Sequence, residues 1–132
     1  IGSGLVGSEM CIRDSRAWGE ERYRNVGLEA VYPLWHHDRQ ENVREVLELG
    51  YRCLIKTLDR RVLPRHLLGR VMDRAMVEEM TACGVDVCGE NGEFHTIAVD
   101  GPVFHRPIPY CVRQLLDLGD YSVADITVPE KE

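Results

Sequence analysis

The spacing of apolar positions predicts two amphipathic helices in the middle of the chain. Apolar residues recur every three or four positions over residues 38–49 and again over residues 71–83. Gly50 and Gly84 follow these stretches directly, where a glycine commonly ends a helix. A polar helix is also expected over residues 16–26. The methionines of the second apolar face favour a core position over the lining of a binding groove.

Short apolar runs between these helices predict strands. Residues 51–58 have an apolar centre, and residues 28–32 form a second run that Pro33 halts. A helix of this length between two strands predicts a parallel pair with a right-handed crossover.

The last third of the chain has the pattern of an antiparallel sheet. Residues 93–99 alternate between polar and apolar types, residues 100–102 form an Asp-Gly-Pro turn signal, and residues 108–113 and 121–128 predict two more strands. The predicted fold class is therefore α/β: a parallel strand–helix–strand unit followed by an antiparallel β-rich segment.

Composition indicates an ordinary globular protein, and its net charge disfavours one class of partner. The 132 residues are 44% hydrophobic and 29% charged, with a net charge of -6 and a pI of about 5.4. This acidic balance argues against a nucleic-acid backbone as the main partner. The sequence contains no apolar run long enough to predict a membrane span.

The cysteines argue against a zinc site. Five are present, none in a Cys-x-x-Cys pair, so we expect reduced thiols and a cytoplasmic protein. No metal ligands are predicted.

The densest polar chemistry lies in the sequence CGENGEFHT, residues 88–96. Two glycines allow positive φ and close approach of the backbone to a ligand. Glu90 and Glu93 have the chemistry of general bases, cation ligands or acceptors for an amine. Asn91 and His95 add an amide and an imidazole. Taken alone, the motif indicates a site and names no reaction.

Three further motifs precede this one in the chain: YPLW at 32–35 with Asp38, LGR at 68–70 with Asp73, and GVD at 84–86. Together they resemble the carboxy-terminal half of the diphthine–ammonia ligase family, which are ATP pyrophosphatases of the adenine-nucleotide alpha-hydrolase type. The resemblance extends from Arg16 to the end of the chain.

The sequence departs from the family pattern at two places. The resemblance leads us to expect Gly-Arg where this chain has His36 and His37. The family's Ser-Gly-Gly-Lys-Asp-Ser phosphate loop, in its amino-terminal half, has no counterpart in this sequence. We therefore expect residues 16–132 to be the substrate-side domain and a fragment of a larger, two-part enzyme.

The first fifteen residues do not share the family resemblance of the rest of the chain. LVGSEMCIRDS, residues 5–15, resembles a translated sequencing-library adapter. We accordingly treat residues 1–15 as non-native and expect them to be unstructured.

The resemblance implies ATP-dependent amide formation. A carboxylate, on the modified histidine of elongation factor 2, is adenylated with release of pyrophosphate, and ammonia then attacks. ATP, with Mg²⁺, would be bound mainly by the missing half. Glu90 and Glu93 are the implied catalytic residues. The implied substrate-binding residues are Trp35, Asp38, Arg70, Asn91 and His95.

Other interpretations stay open at this point. The chain could be a binding or docking domain without chemistry, or part of a related ATP pyrophosphatase with a different carboxylate substrate. Asp38 is also a natural N-cap, Arg70 could pair with Asp73, and both glutamates could cap local amides. The site interpretation predicts that the acidic loop faces Trp35 and Asp38 across one cleft. Arg70 would then be nearby, and His95 would be on the same side as Glu93.

Overall fold

The computed structural model describes the backbone of residues 9–129 and the side chains of residues 16–129. The elements in chain order are α1 (Glu9–Asn25), α2 (Arg39–Glu48), β1 (Arg52–Asp59), α3 (Arg74–Ala82), β2 (Phe94–Asp100), β3 (Cys111–Leu118) and β4 (Tyr121–Thr127). A single 3-10 turn, Arg65–Leu67, lies between β1 and α3. This mixture of helices and sheet confirms the α/β class in coarse terms.

The strands form one antiparallel sheet in the order β2-β1-β4-β3. Strand β1 pairs Thr57 with His95 of β2 on one side, and Leu58 with Ser122 of β4 on the other. A tight turn at Gly119, with φ 63°, joins β3 to β4 and fixes the register of that hairpin. Strands β2 and β3 are the edges of the sheet.

The predicted parallel unit is wrong for the described residues. Residues 28–32 form no strand, and Leu28 and Val31 are exposed. Every strand pair among residues 9–129 is antiparallel. The physical reason is that both hydrogen-bonding sides of β1 are occupied. Strand β2 covers one side, and β4 together with residues 69–72 covers the other, so no position beside β1 remains for an earlier strand.

The start of the chain also differs from expectation. Helix α1 begins at Glu9, so residues 9–15 are helical instead of unstructured. They continue directly into the predicted polar helix, and a helix once begun propagates with one hydrogen bond per added residue. Residues 1–8 of the adapter-like segment, and residues 130–132, lie outside the described residues.

Both amphipathic helices have acidic N-caps: Asp38 was predicted in this role, whereas Asp73 was expected inside the second helix, which begins at Arg74 instead of residue 71. Asp38 and Asp73 are the N-caps of α2 and α3, and their carboxylates accept hydrogen bonds from the backbone amides of Glu41 and Met76 at 2.9 and 2.8 Å. Gly84 follows α3 with φ 74°.

A single apolar cluster joins these helices to the sheet. It includes Val43 of α2, Ile55 and Leu58 of β1, and Met76 and Met80 of α3. The methionines of α3 are therefore core residues, as predicted. No helix within residues 9–129 combines the length and apolar character needed to cross a bilayer.

Candidate functional site

The first wall of the site is the segment that leads into α2. Two consecutive turns form here, in which the amides of Trp35 and His37 donate to the carbonyls of Tyr32 and Leu34 at 3.1 Å each. His36 has a φ of 61°, a conformation that favours glycine. The resemblance led us to expect glycine at this position, and the backbone geometry explains why glycine would be favoured there.

The second wall is the loop at residues 84–93, which is organised around the Glu93 carboxylate. Glu93 is buried, and its Oε2 accepts the backbone amide of Asn91 at 2.9 Å. Its Oε1 accepts the Asn91 side-chain amide at 3.1 Å and the Asp86 backbone amide at 3.3 Å. A carboxylate engaged by three N–H groups ties both ends of a loop together. Glu93 thus takes the local capping position considered in the sequence interpretation.

The glycines of this loop have the backbone conformation that the sequence predicts. Gly89 and Gly92 have φ values of 68° and 80°. A Cβ atom at Gly89 would lie 3.0 Å from the Phe94 carbonyl oxygen and 3.1 Å from its ring. Gly89 therefore allows the loop to pass close to the start of β2 while Glu90 remains on the outer side.

Arg39 of α2 connects the two walls. Its Nη1 lies 2.7 Å from Asp86 Oδ2 and also donates to the Glu90 carboxylate. Burial opposes the charged form of Arg39, but the hydrogen bond with Glu90 and the charges of Asp86 and Glu90 outweigh burial and raise the pKa of Arg39. The pairing fixes Glu90 against α2.

Cys88, next to Arg39, Asp86 and Glu90, is not activated as a nucleophile. Cys88 Sγ lies 3.4 Å from the carbonyl oxygen of Arg39. Burial first, and then the carboxylates of Asp86 and Glu90, raise the pKa of the Cys88 thiol to about 11. A thiol that stays protonated is a poor nucleophile, which agrees with the interpretation of Cys88 as a small buried residue.

Between the walls lies a cavity of about 820 Å³. Four of the predicted site residues line it together: Trp35 and Asp38 on one side, and Glu90 and Asn91 on the other. The expected cleft between the acidic loop and the entrance to α2 is therefore present. The chemical roles of these residues stay predictions.

Three other predicted site residues lie elsewhere. Glu93 is beneath the loop and is not part of the cavity wall. His95 is exposed on β2, opposite Thr57, and does not share the buried position of Glu93. The two-residue period of a strand does not relate them, because β2 begins only at Phe94.

Arg70 is likewise outside the cavity wall. Its carbonyl accepts the amide of Ile55 at 2.9 Å, so this segment runs beside β1. Asp73, the alternative partner for Arg70, uses its carboxylate to cap α3.

Sequence reasoning missed Arg39 and Asp86 as site residues. They are 47 positions apart, and no local spacing indicates that they meet. A weak signal existed, because Asp86 belongs to the GVD motif and Arg39 follows the N-cap Asp38 directly.

The charge of the cavity limits what it can bind. Asp38, Asp86 and Glu90 contribute three carboxylates, and the Arg39 guanidinium is already paired with two of them. This arrangement differs from the converging N–H donors and free cations that hold a triphosphate. No set of three or more metal-ligating side chains occurs in the part of the chain that the structure describes.

The chain is similar in sequence to known proteins. The chain is 28% identical to diphthine–ammonia ligase of Homo sapiens over 89 residues, which cover 64% of this chain and 33% of the relative. The enzyme of Mus musculus gives the same identity and coverage, and that of Bos taurus is 27% identical. The chain spans about a third of the length of these curated relatives.

A second comparison concerns the domain itself. Residues 38–114 match the family described as Diphthamide synthase C-terminal domain. The match begins at the N-cap of α2 and includes both the Arg39–Asp86 pair and the 84–93 loop. On this evidence the chain belongs to the diphthamide synthase C-terminal domain family.

Proposed function

We propose that this chain is the acceptor-side domain of an ATP-dependent ligase that forms an amide from a carboxylate and ammonia, as in the conversion of diphthine to diphthamide. The observation that carries the proposal is the shared cavity of Trp35, Asp38, Glu90 and Asn91, of which the last three lie within the region that matches the family. The names of the relatives support the reaction type. Elongation factor 2 is the proposed protein partner.

In this proposal the cavity residues position the reactants. Glu90 would accept hydrogen bonds from ammonium and take up the proton released as nitrogen attacks the activated carboxylate. Arg39 would hold Glu90 in place, and Asn91 would donate to the acceptor. Most of the rate enhancement would come from orientation of the two reactants.

ATP and Mg²⁺ would be bound by residues outside this chain, since the cavity lacks a phosphate cradle. When bound, ATP supplies the adenylate that makes the carboxylate reactive. We therefore expect the 132-residue chain alone to release no pyrophosphate from ATP above a boiled control.

The decisive experiment uses a complete protein in which these residues follow their upstream half. We expect formation of AMP and pyrophosphate to depend on both ammonia and the carboxylate acceptor. Glu90→Gln should lower kcat/KM for ammonia by about 100-fold, the usual scale for loss of a general base. Glu48→Gln, which removes an exposed carboxylate at the last residue of α2 and outside the cavity wall, is the matched control and should retain activity.

Two results would contradict the proposal. One is full ammonia-dependent turnover by Glu90→Gln. The other is a complete protein that binds its acceptor but forms no AMP, which would favour the docking interpretation. Pyrophosphate formation with a different carboxylate acceptor would keep the ligase chemistry and replace diphthine as its substrate.

A further inference from the structure

Asp86 is the residue that joins the two walls of the cavity, and all four of its polar atoms have partners. Its Oδ2 accepts a hydrogen bond from Arg39 Nη1 at 2.7 Å, and its Oδ1 accepts the backbone amide of Cys88 at 2.9 Å. Its own amide donates to Glu93 Oε1 at 3.3 Å, and its carbonyl accepts the amide of Gly89 at 2.8 Å. These four bonds, on backbone and side chain together, hold the Asp86 carboxylate in one orientation.

Glu90 is held much less firmly than Asp86. Among residues 16–129, its carboxylate has one side-chain hydrogen-bond partner, Arg39 Nη1. The Glu90 side chain is 23% exposed, whereas that of Asp86 is 8% exposed. A partly solvated carboxylate with a single partner keeps its direction only if that partner is itself fixed. The direction of Glu90 therefore depends on what fixes Arg39.

Arg39 is fixed by Asp86 from the side of the loop. Its guanidinium extends from the first residue of α2 to the 84–93 loop. Nη1 carries two hydrogen atoms, enough for one bond to each carboxylate. Because Asp86 is the more buried and more extensively bonded of the two carboxylates, it determines where the guanidinium lies. The guanidinium then determines where Glu90 lies.

The shared cation also leaves this group with a net negative charge. Asp86 and Glu90 contribute two negative charges against the single positive charge of Arg39. If Arg39 faced Glu90 alone, the two charges would cancel, and the carboxylate would attract a further cation less strongly. Asp86 therefore leaves Glu90 able to attract an ammonium ion at the cavity wall.

We propose that Asp86 is a positioning residue for the amide-forming reaction: it fixes Arg39, which directs Glu90 to the cavity, and it takes up part of the Arg39 charge. Asp86 itself contacts neither reactant. The reaction in which Asp86 acts rests on the proposed function; the order in which the three side chains fix one another does not. No covalent step is involved.

The order of fixing is tested on the 132-residue chain without ATP or ammonia. NMR of the nitrogen-15-labelled side chain measures rotation of the Arg39 guanidinium about its Nε–Cζ bond, which hydrogen bonds to Nη1 slow. Asp86→Asn should speed this rotation about tenfold, the effect of losing one charge-assisted hydrogen bond, whereas Glu90→Gln should speed it much less. Arg44, 56% exposed on the same helix, is the internal control and should rotate at one rate in all variants. An effect of Glu90→Gln equal to or larger than that of Asp86→Asn would overturn the proposal.

The role in the reaction is tested in the complete protein. Asp86→Asn keeps an oxygen that can accept the Cys88 amide, and it should lower kcat/KM for ammonia about tenfold without changing KM for ATP. Because Asp86 acts through Arg39, the same substitution in an Arg39→Gln background should cause no further loss. Asp120→Asn is the matched control, since that carboxylate pairs with Arg61 at 3.3 Å outside the cavity wall. It should leave kcat/KM for ammonia unchanged.

An equal loss from Asp86→Asn with and without Arg39 would show a purely structural role and overturn the proposal. Unchanged kcat/KM for ammonia in a folded Asp86→Asn protein would do the same. If Asp86→Asn does not fold, Arg39→Gln alone decides the question: a similar loss of kcat/KM for ammonia supports the proposal, and full activity overturns it.

This proposal and the ligase proposal fail separately. A complete protein that forms no AMP would defeat the ligase reaction, and the rotation rates would still decide whether Asp86 fixes Arg39. An active ligase that is indifferent to Asp86→Asn would defeat the positioning role alone.

Discussion

Glu93 lies beneath the loop that precedes it, and its carboxylate accepts both the backbone and the side-chain N–H groups of Asn91, at 2.9 and 3.1 Å. This relationship divides the two glutamates of the motif between separate tasks. Glu93 sets the shape of the loop, and Glu90 faces the cavity beside Arg39.

Glu93→Ala should destabilise the protein by about 2–3 kcal/mol, because the amides of Asn91 and Asp86 would lose a buried, charged acceptor. Glu93→Gln should cost less, since its remaining oxygen still accepts one amide. Urea denaturation measures both. Glu29→Ala, at an exposed carboxylate, should stay within about 0.5 kcal/mol of the parent protein. An equally small effect of Glu93→Ala would refute the loop-organising role.

The Arg39–Glu90 pair should show measurable coupling in a double-mutant cycle. Their side chains are 33% and 23% exposed, so solvent screens them only in part, and we expect a coupling energy of about 1 kcal/mol. The matched pair is Arg44 and Glu41, at 56% and 50% exposure and 3.4 Å, where about 0.3 kcal/mol is expected. Equal coupling in both cycles would mean that Arg39 does not hold Glu90.

His36→Gly should stabilise the chain by about 0.5–1 kcal/mol. A non-glycine residue at φ 61° costs about 1–2 kcal/mol, which glycine would remove. Glycine also gives the unfolded chain more conformational freedom, which opposes folding by about 0.4–1 kcal/mol and reduces the net stabilisation. Thermal or urea unfolding measures the difference. The same change at His37, whose ring contacts Asn42, should not stabilise. A loss of stability in His36→Gly would show that the imidazole makes contacts worth more than the backbone strain.

Stability should decline at acid pH through Asp117. The hydrogen bond from Ser122 Oγ at 2.5 Å, followed by that from Arg65 at 3.0 Å, lowers the pKa of Asp117. A carboxyl whose pKa is lower in the folded state contributes stability above its unfolded pKa of about 3.9 and loses it as pH falls through the folded pKa. Asp117→Asn should therefore flatten the acid limb of the stability profile below the unfolded pKa of about 3.9. Asp125→Asn is the charge-matched control.

Cys88 should resist alkylation at neutral pH. With a pKa of about 11, roughly three thiols in ten thousand are ionised at pH 7.5, and only the thiolate reacts. Cys83 and Cys111 are exposed and should react first. Mass spectrometry after timed treatment with iodoacetamide measures the order. Modification of Cys88 ahead of both exposed cysteines would contradict the account of this thiol.

Local patterns were sufficient for much of this protein. The apolar periodicity, the N-cap at Asp38 and the glycines after each helix determined α2 and α3, because a helix depends on residues within one or two turns. The N-cap role of Asp73 was not predicted. The motif at residues 88–96 and the three motifs before it indicated the family, and they contain the four predicted site residues that line the cavity. Glycine at 89 and 92 indicated the positive φ values for the same local reason.

Strand pairing and side-chain contacts across the chain were decided only by the tertiary structure. Residues 28–32 have the composition of a strand, yet whether a strand forms depends on a free neighbour, and β2, β4 and residues 69–72 leave β1 none. The division between Glu90 and Glu93 has the same cause. Both glutamates lie in the same short motif, but only the folded loop determines that Glu93 is buried against Asn91 and that Glu90 pairs with Arg39 at the cavity. Sequence spacing carries no information on contacts between residues 47 positions apart, such as Arg39 and Asp86.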